Sequence, residues 1–221
     1  MSILQFHNVS YFKDEKYILK DITLNIEKGD FVSIIGPSGS GKSTFLKLCC
    51  HLISPTSGSI KYLQKDLMDC DPAELRKNIG YCFQTPHLFG EHVMDNLSFP
   101  YLIRDLATDK NRINLLFSEF HMDMDLITNE VKNLSGGEKQ RIALIRTLLI
   151  APEILLLDEV TSSLDSSNTD IVENAVNSLN KAGITVIWVT HNLEQSRKFA
   201  NKIITIEAGR LKSVDITGRE A

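Results

Sequence analysis

Between residues 36 and 44 the chain reads Gly36-Pro37-Ser38-Gly39-Ser40-Gly41-Lys42-Ser43-Thr44. Glycines in that run let the backbone take positive φ, so that successive N–H groups can converge on one anion. The spacing G-x-x-x-x-G-K-[ST] is that of a phosphate-binding loop, provided a strand leads in and a helix leads out. Phe31-Val32-Ser33-Ile34-Ile35 reads as the strand and Thr44-Phe45-Leu46-Lys47-Leu48 as the helix. The helix N-terminus adds partial positive charge, Lys42 a full one, and Ser43 a hydroxyl oxygen for Mg²⁺. The chemistry to expect is binding of a nucleoside triphosphate.

Two further constellations extend it. Leu155-Leu156-Leu157-Asp158-Glu159 ends an apolar run in two carboxylates. An aspartate at the carboxyl end of a central strand stands where α/β sheets place ligands. Asp158 can hold Mg²⁺ and Glu159 can polarise an attacking water. Alone, such a pair could merely end a strand in solvent; the phosphate loop upstream favours the catalytic reading. Leu134-Ser135-Gly136-Gly137-Glu138-Lys139-Gln140-Arg141 then opens a helix with a serine and two glycines, a second anion-binding terminus. One chain already has its phosphate loop, so the economical account is that this second terminus serves the nucleotide of another copy.

The elements that must position these residues follow from periodicity. Residues 3–12 and 22–26 alternate apolar and polar like strands, with the polar turn Lys13-Asp14-Glu15-Lys16 between them. They predict an antiparallel β layer beside the nucleotide-binding sheet. Ser59-Ile60-Lys61-Tyr62-Leu63 reads as another short strand after the break Pro55-Thr56-Ser57-Gly58. Asp71 and Pro72 read as the N-cap and first residue of a helix, and Ile79-Gly80-Tyr81-Cys82-Phe83 as a strand ending at Gln84. Helical spacing at 92–102 and 113–120 marks an inserted, mainly helical subdomain. Beyond it come a helix from near Gly137, a buried strand at 153–158, a helix at 170–181 stopped by Gly183, a strand at 184–189, a short helix at 192–200 and a last strand at 202–207. The expected fold class is α/β, one domain with a largely parallel sheet: residues 1–84 and 138–221 form the core with its β subdomain, and 85–137 the helical insertion.

Taken together, the loop 36–44, Gln84 after a strand, Leu-Ser-Gly-Gly-Glu at 134–138, Leu-Leu-Leu-Asp-Glu at 155–159, Ser163-Leu164-Asp165 and His191 resemble the ATP-binding-cassette ATPases of membrane transporters. The likeness covers nearly the whole chain. It implies the P-loop NTPase core of that family and ATP with Mg²⁺ as ligands. Lys42 and the backbone of 39–44 would hold the phosphates, and Ser43, Gln84 and Asp158 the metal ion. Glu159 would act as general base and His191 would contact the γ-phosphate. Ser135, Gly136 and Gly137 would close over the partner subunit's ATP, with Asp165 linking the two sites. The family also places an aromatic ring on the adenine: Tyr11 is the first choice, with Phe12 and Tyr17 as rivals. This chain has Ser163 where the family often has Ala, a conservative departure. The wording of residues 81–90 is most similar to Fet-type ATPase subunits, proposed iron exporters, and it lies where the family receives a helix from a membrane subunit. Exposed Leu88 and Phe89 would suit such a groove, or a satellite helical core. The resemblance implies a homodimer on ATP binding, a separate transmembrane permease as partner, and a place on the cytoplasmic face of the cell membrane.

Bulk properties are compatible with this. The 221 residues are 43% hydrophobic and 24% charged, ordinary for a globular protein with a real core. A formal net charge of −4 argues against a general nucleic-acid binder. Cys49, Cys50, Cys70 and Cys82 show no metal-like spacing, and the adjacent Cys49 and Cys50 read as buried thiols in a reducing compartment. Residues 1–7 lack the layout of a secretion signal, and no apolar run approaches the roughly 20 residues of a bilayer span. A repair or translation factor of the same family is the alternative, disfavoured because the stretch from Gln84 to Ser135 is short for a long coiled coil. An ATP-holding regulatory module conflicts with the presence of Lys42, Asp158, Glu159 and His191, and a P-loop kinase leaves residues 135–138 without a role.

Overall fold

The computed structural model describes residues 1–218. Ten strands form two sheets. The first has the order β2-β1-β4-β5, from β1 (Ser2–Lys13), β2 (Lys16–Glu27), β4 (Ser57–Tyr62) and β5 (Lys65–Asp66), and is antiparallel throughout. The second runs β10-β9-β3-β8-β7-β6, from β3 (Phe31–Ile35), β6 (Ile79–Cys82), β7 (Ile154–Asp158), β8 (Thr185–Val189), β9 (Lys202–Glu207) and β10 (Arg210–Ile216). Its strands are parallel except for the edge strand β10, which pairs antiparallel with β9.

Continuous apolar runs are what a parallel sheet covered on both faces requires, because successive side chains go to opposite sides. Leu155, Leu157, Val186 and Trp188 enter one core, with Ile142 and Ile145 of α5 (Gly136–Leu148) and Val172 and Val176 of α6 (Ser166–Lys181). Ile154, Leu156, Ile187 and Val189 enter the other, with Phe45 and Leu46 of α1 (Lys42–Cys49) and the antiparallel sheet. Between β6 and β7 the helices α3 (Val93–Leu102) and α4 (Lys110–Glu119) precede α5 and share its core. Two short helices, α2 (Pro72–Asn78) and α7 (Leu193–Lys198), complete the set.

The local signals do their work at the element ends. Asp14 and Glu15 take positive φ in the first hairpin turn, and Asp71 caps α2 with Pro72 at its first position. The first two strands run longer than alternation indicates, and β10 adds a hairpin past Gly209. An edge strand half in solvent carries a weak apolar signal. A buried ion pair joins the two sheets: Lys202 Nζ lies 2.6 Å from Asp30 Oδ2 and donates to the Asn25 carbonyl at 3.1 Å. Asp30 also accepts from Asn201 at 2.9 Å and from the Glu27 N–H at 2.8 Å, so both its oxygens are hydrogen-bonded. All four cysteines are free; Cys49, Cys50 and Cys82 are buried, and burial pushes the thiols of Cys50 and Cys82 up to about 11.

Candidate functional site

The loop 36–44 leaves β3 and enters α1 with Gly36, Gly39 and Gly41 all at positive φ. A Cβ at Gly36 would stand 2.0 Å from the Ile206 carbonyl oxygen, and one at Gly41 2.7 Å from that of Ile18. Only glycine fits either position. Lys42 is buried and turns its ammonium back over the loop, donating to the carbonyls of Gly36 and Pro37 at 3.0 Å each. Burial lowers its pKa, opposed by the charges of Glu159 and Asp158. The Ser40 hydroxyl is buried with no partner. A loop with three glycines at positive φ at a helix N-terminus, with Lys42 beside it, fits a phosphate group.

Asp158 ends β7 beside this loop. Ser43 Oγ donates to its Oδ1 at 2.9 Å and the Tyr81 hydroxyl to its Oδ2 at 2.8 Å. Burial, then the Asp158 charge, pushes the Tyr81 phenol above its ordinary value, so it stays a donor. A hydroxyl and a carboxylate at bonding distance are hard oxygen ligands of the kind Mg²⁺ takes, and the residues present fit that ion.

Glu159 takes a left-handed φ of 51°, a conformation costing a non-glycine residue about 1–3 kcal/mol. Its N–H is fixed to the Val189 carbonyl at 3.0 Å. Its carboxylate is gripped from both sides: Gln84 Nε2 donates to Oε2 at 2.9 Å, and His191 Nε2 lies 2.6 Å from Oε1. Gln84 follows β6 and His191 follows β8, so three strand ends bring these side chains together. With Ser43, Asp158 and Lys42, one polar cluster results from residues up to 149 positions apart in sequence.

Ser135 caps α5, and the capping is reciprocal. Its hydroxyl and N–H each donate to Glu138 Oε2 at 2.8 Å, and the Glu138 N–H returns to Ser135 Oγ at 3.3 Å. Those bonds hold the Glu138 carboxyl below its usual range. Ser135 and Gly136 are exposed, a Cβ on Gly136 would meet nothing within 4 Å, and residues 135–137 make no hydrogen bond to the loop 36–44. Asp165 caps α6, accepting from the Asn168 N–H and Nδ2 at 2.8 Å each, and Arg141 of α5 donates to the side-chain Oδ1 of Asn168. Asp165 is thereby linked to the helix carrying Ser135, while its own carboxylate remains exposed.

The three aromatic candidates divide. Tyr11 pairs across the hairpin with Leu19, whose side chain is the one a Cβ at Gly41 would strike, so Tyr11 stands close to the loop and partly packed on the core. Phe12 and Tyr17 lie one step outward, exposed, edge to face at 5.0 Å. Leu88 departs from the expected exposure: it is half-buried against the helical core, because the turn 84–92 folds back onto α3. Phe89 is exposed, packed on Phe99 at 4.8 Å with the Arg146 guanidinium 5.3 Å above its ring. Tyr81 was legible only as a strand residue; its bond to Asp158 depends on the pairing of β6 with β7.

The family model described as ABC transporter matches residues 19–162. The protein named "Probable iron export ATP-binding protein FetA" of Escherichia coli (strain K12) is 42% identical over 93% of this chain and 91% of its own length. Among solved structures, the ATP-binding cassette MJ0796, described as a dimer in a post-hydrolysis state with ADP and Pi, superposes with a TM-score of 0.88 at 31% identity, over 98% of this chain and all of that one. The cbiO1 protein from Clostridium perfringens, described as part of the ABC transporter complex cbiONQ, gives 0.87 at 27% identity, over 97% of this chain and 88% of that one.

Proposed function

The chain belongs to the ABC transporter family as an ATP-binding, ATP-hydrolysing subunit, and we propose that two copies close head to tail over two molecules of ATP to drive a separate membrane permease. The observation that carries this reading is Glu159 held between Gln84 and His191 beside the Ser43–Asp158 pair. Lys42 and the N–H groups of 39–44 bind the phosphates. Ser43, Asp158 and Gln84 would hold Mg²⁺, which when bound would neutralise phosphate charge. Glu159 orients the attacking water and takes its proton, while His191 and Gln84 fix the carboxylate and sense the γ-phosphate. The exposed 135–137 tip has no phosphate of its own to serve, so it completes the partner copy's site, with Asp165 beside it. The described dimer of the similar cassette supports that arrangement. Tyr11 takes the adenine. The proposed division, core 1–84 and 138–221 with insertion 85–137, runs through the first turn of α5, where tip meets core.

No helix among the described residues is long and apolar enough to cross a membrane, and the reading assigns the spanning part to the separate permease. Its docking place is the groove of about 290 Å³ between α2, β6, α3 and α5. Leu52, Phe83, Phe99 and Ile103 give it exposed apolar walls; Arg76, Lys77, Arg104 and Arg146 surround it, and among the described residues no carboxylate lines it. In a chain of net charge −4, that calls for an occupant with apolar anchors and an acidic group or helix C-terminus. On this reading the protein works on the inner face of the cell membrane, held there by the permease. Iron is the proposed cargo on the likeness to FetA. Among the described residues no cluster of three His, Cys, Asp or Glu side chains converges on a metal site, so the permease must choose the cargo.

Glu159→Gln keeps the size of the side chain and one acceptor oxygen but loses the base. It is expected to bind MgATP, accumulate as a dimer on size exclusion, and turn over at least about 100-fold more slowly. Wild-type turnover by this variant would refute the assignment.

A further inference from the structure

His191 is half-exposed, and its ring has a single protein partner, Glu159. With about half of its side chain in solvent, the imidazole takes its aim largely from the backbone at 190–192. That backbone is fixed by a hub no motif marks. Thr190, buried at the end of β8, donates its hydroxyl to Gln195 Oε1 and accepts from the Asn192 N–H at 3.1 Å. Gln195 Nε2 reaches Thr161 Oγ1 at 3.0 Å, two residues beyond Glu159, and Glu173 Oε1 at 2.8 Å. Glu173 is buried on α6, its other oxygen taken by Lys198 at 2.6 Å. A carboxylate can only accept, so the amide nitrogen must face Glu173 and its oxygen must face Thr190; the four groups allow one arrangement.

This hub forms the wall of an open cavity of about 990 Å³ that Glu159 and His191 also line, and Leu164 is the one apolar side chain among its lining residues. Val160 and Val189 anchor the two segments in the core, and on the cavity side hydrogen bonds join the segment after Glu159 to the segment bearing His191. We infer that Gln195 is a positioning residue for hydrolysis: clasping Thr161, Thr190 and Glu173 together, it sets the aim of His191 at Glu159. The inference rests on the roles given above to those two residues.

Gln195→Leu keeps the bulk and removes every bond. Steady-state turnover, nucleotide affinity by calorimetry and the melting temperature are measured beside His191→Ala. The expected result is a kcat lower by about 10- to 100-fold, as for a misaimed catalytic group, with affinity within about twofold. The exchange Glu173→Gln with Gln195→Glu restores a donor facing an acceptor and is expected to recover most of the lost kcat. Should Gln195→Leu not fold, Thr190→Val tests the same link. Full turnover in Gln195→Leu while His191→Ala is inactive overturns the inference alone. Wild-type turnover in His191→Ala removes the site reading, and the inference with it. Parallel losses of kcat, affinity and stability reduce Gln195 to a structural residue and also overturn it.

Discussion

Lys42 is bonded to two carbonyls of its own loop, and burial already makes its charge costly. An arriving triphosphate supplies the counter-charge that the two nearby carboxylates provide only from a distance. Lys42→Ala is expected to weaken ATP binding by about 10- to 100-fold, the worth of one or two charge-assisted hydrogen bonds, read by calorimetry. The loop, Asp158, Glu159 and Ser135 were legible because each sits at a strand or helix end within a short motif, whereas Gln84 and His191, single residues after strands, were read through the family resemblance. Tyr81 and Gln195 were not. A tyrosine in a strand and a glutamine on a six-residue helix look like any others until the chain folds, and their partners lie 77 and 5 to 34 residues away.

Helix α5 shows how an element can be tuned at its tip. Its first turn is closed by Glu138, whose carboxyl is depressed by the Ser135 N–H and hydroxyl. A depressed carboxyl contributes stability that is present above the unfolded value and lost as pH falls through the folded one. The first turn is therefore expected to loosen on the acid side of the ordinary glutamate range. An NMR titration should show the amide shifts of 135–138 moving with the Glu138 carboxyl, and Glu138→Gln should abolish that step. The existence and type of most elements followed from periodicity, since strands buried on both faces and amphipathic helices announce themselves. The order β10-β9-β3-β8-β7-β6 did not, nor did β10 itself, because sheet order is decided by long-range pairing.

Across the whole molecule, the Lys202–Asp30 pair joins the antiparallel layer to the main sheet. Removing one partner of a buried, hydrogen-bonded pair strands the other, so Lys202→Met is expected to cost about 3–5 kcal/mol in denaturant unfolding, with the ATP site itself untouched. A loss below about 1 kcal/mol would show the pair to be dispensable.

One helix carries both the Ser135–Gly137 tip and, ten residues on, Arg146 over Phe89 at the edge of the groove. At 1.5 Å per residue the two stand about 15 Å apart on one stiff rod. A tilt of about ten degrees at the groove end would sweep the tip through about 2.6 Å, roughly a bond-to-no-bond distance for a hydrogen bond. On that gearing, a modest nudge from the membrane side would be enough to engage or release a nucleotide held by the opposite subunit.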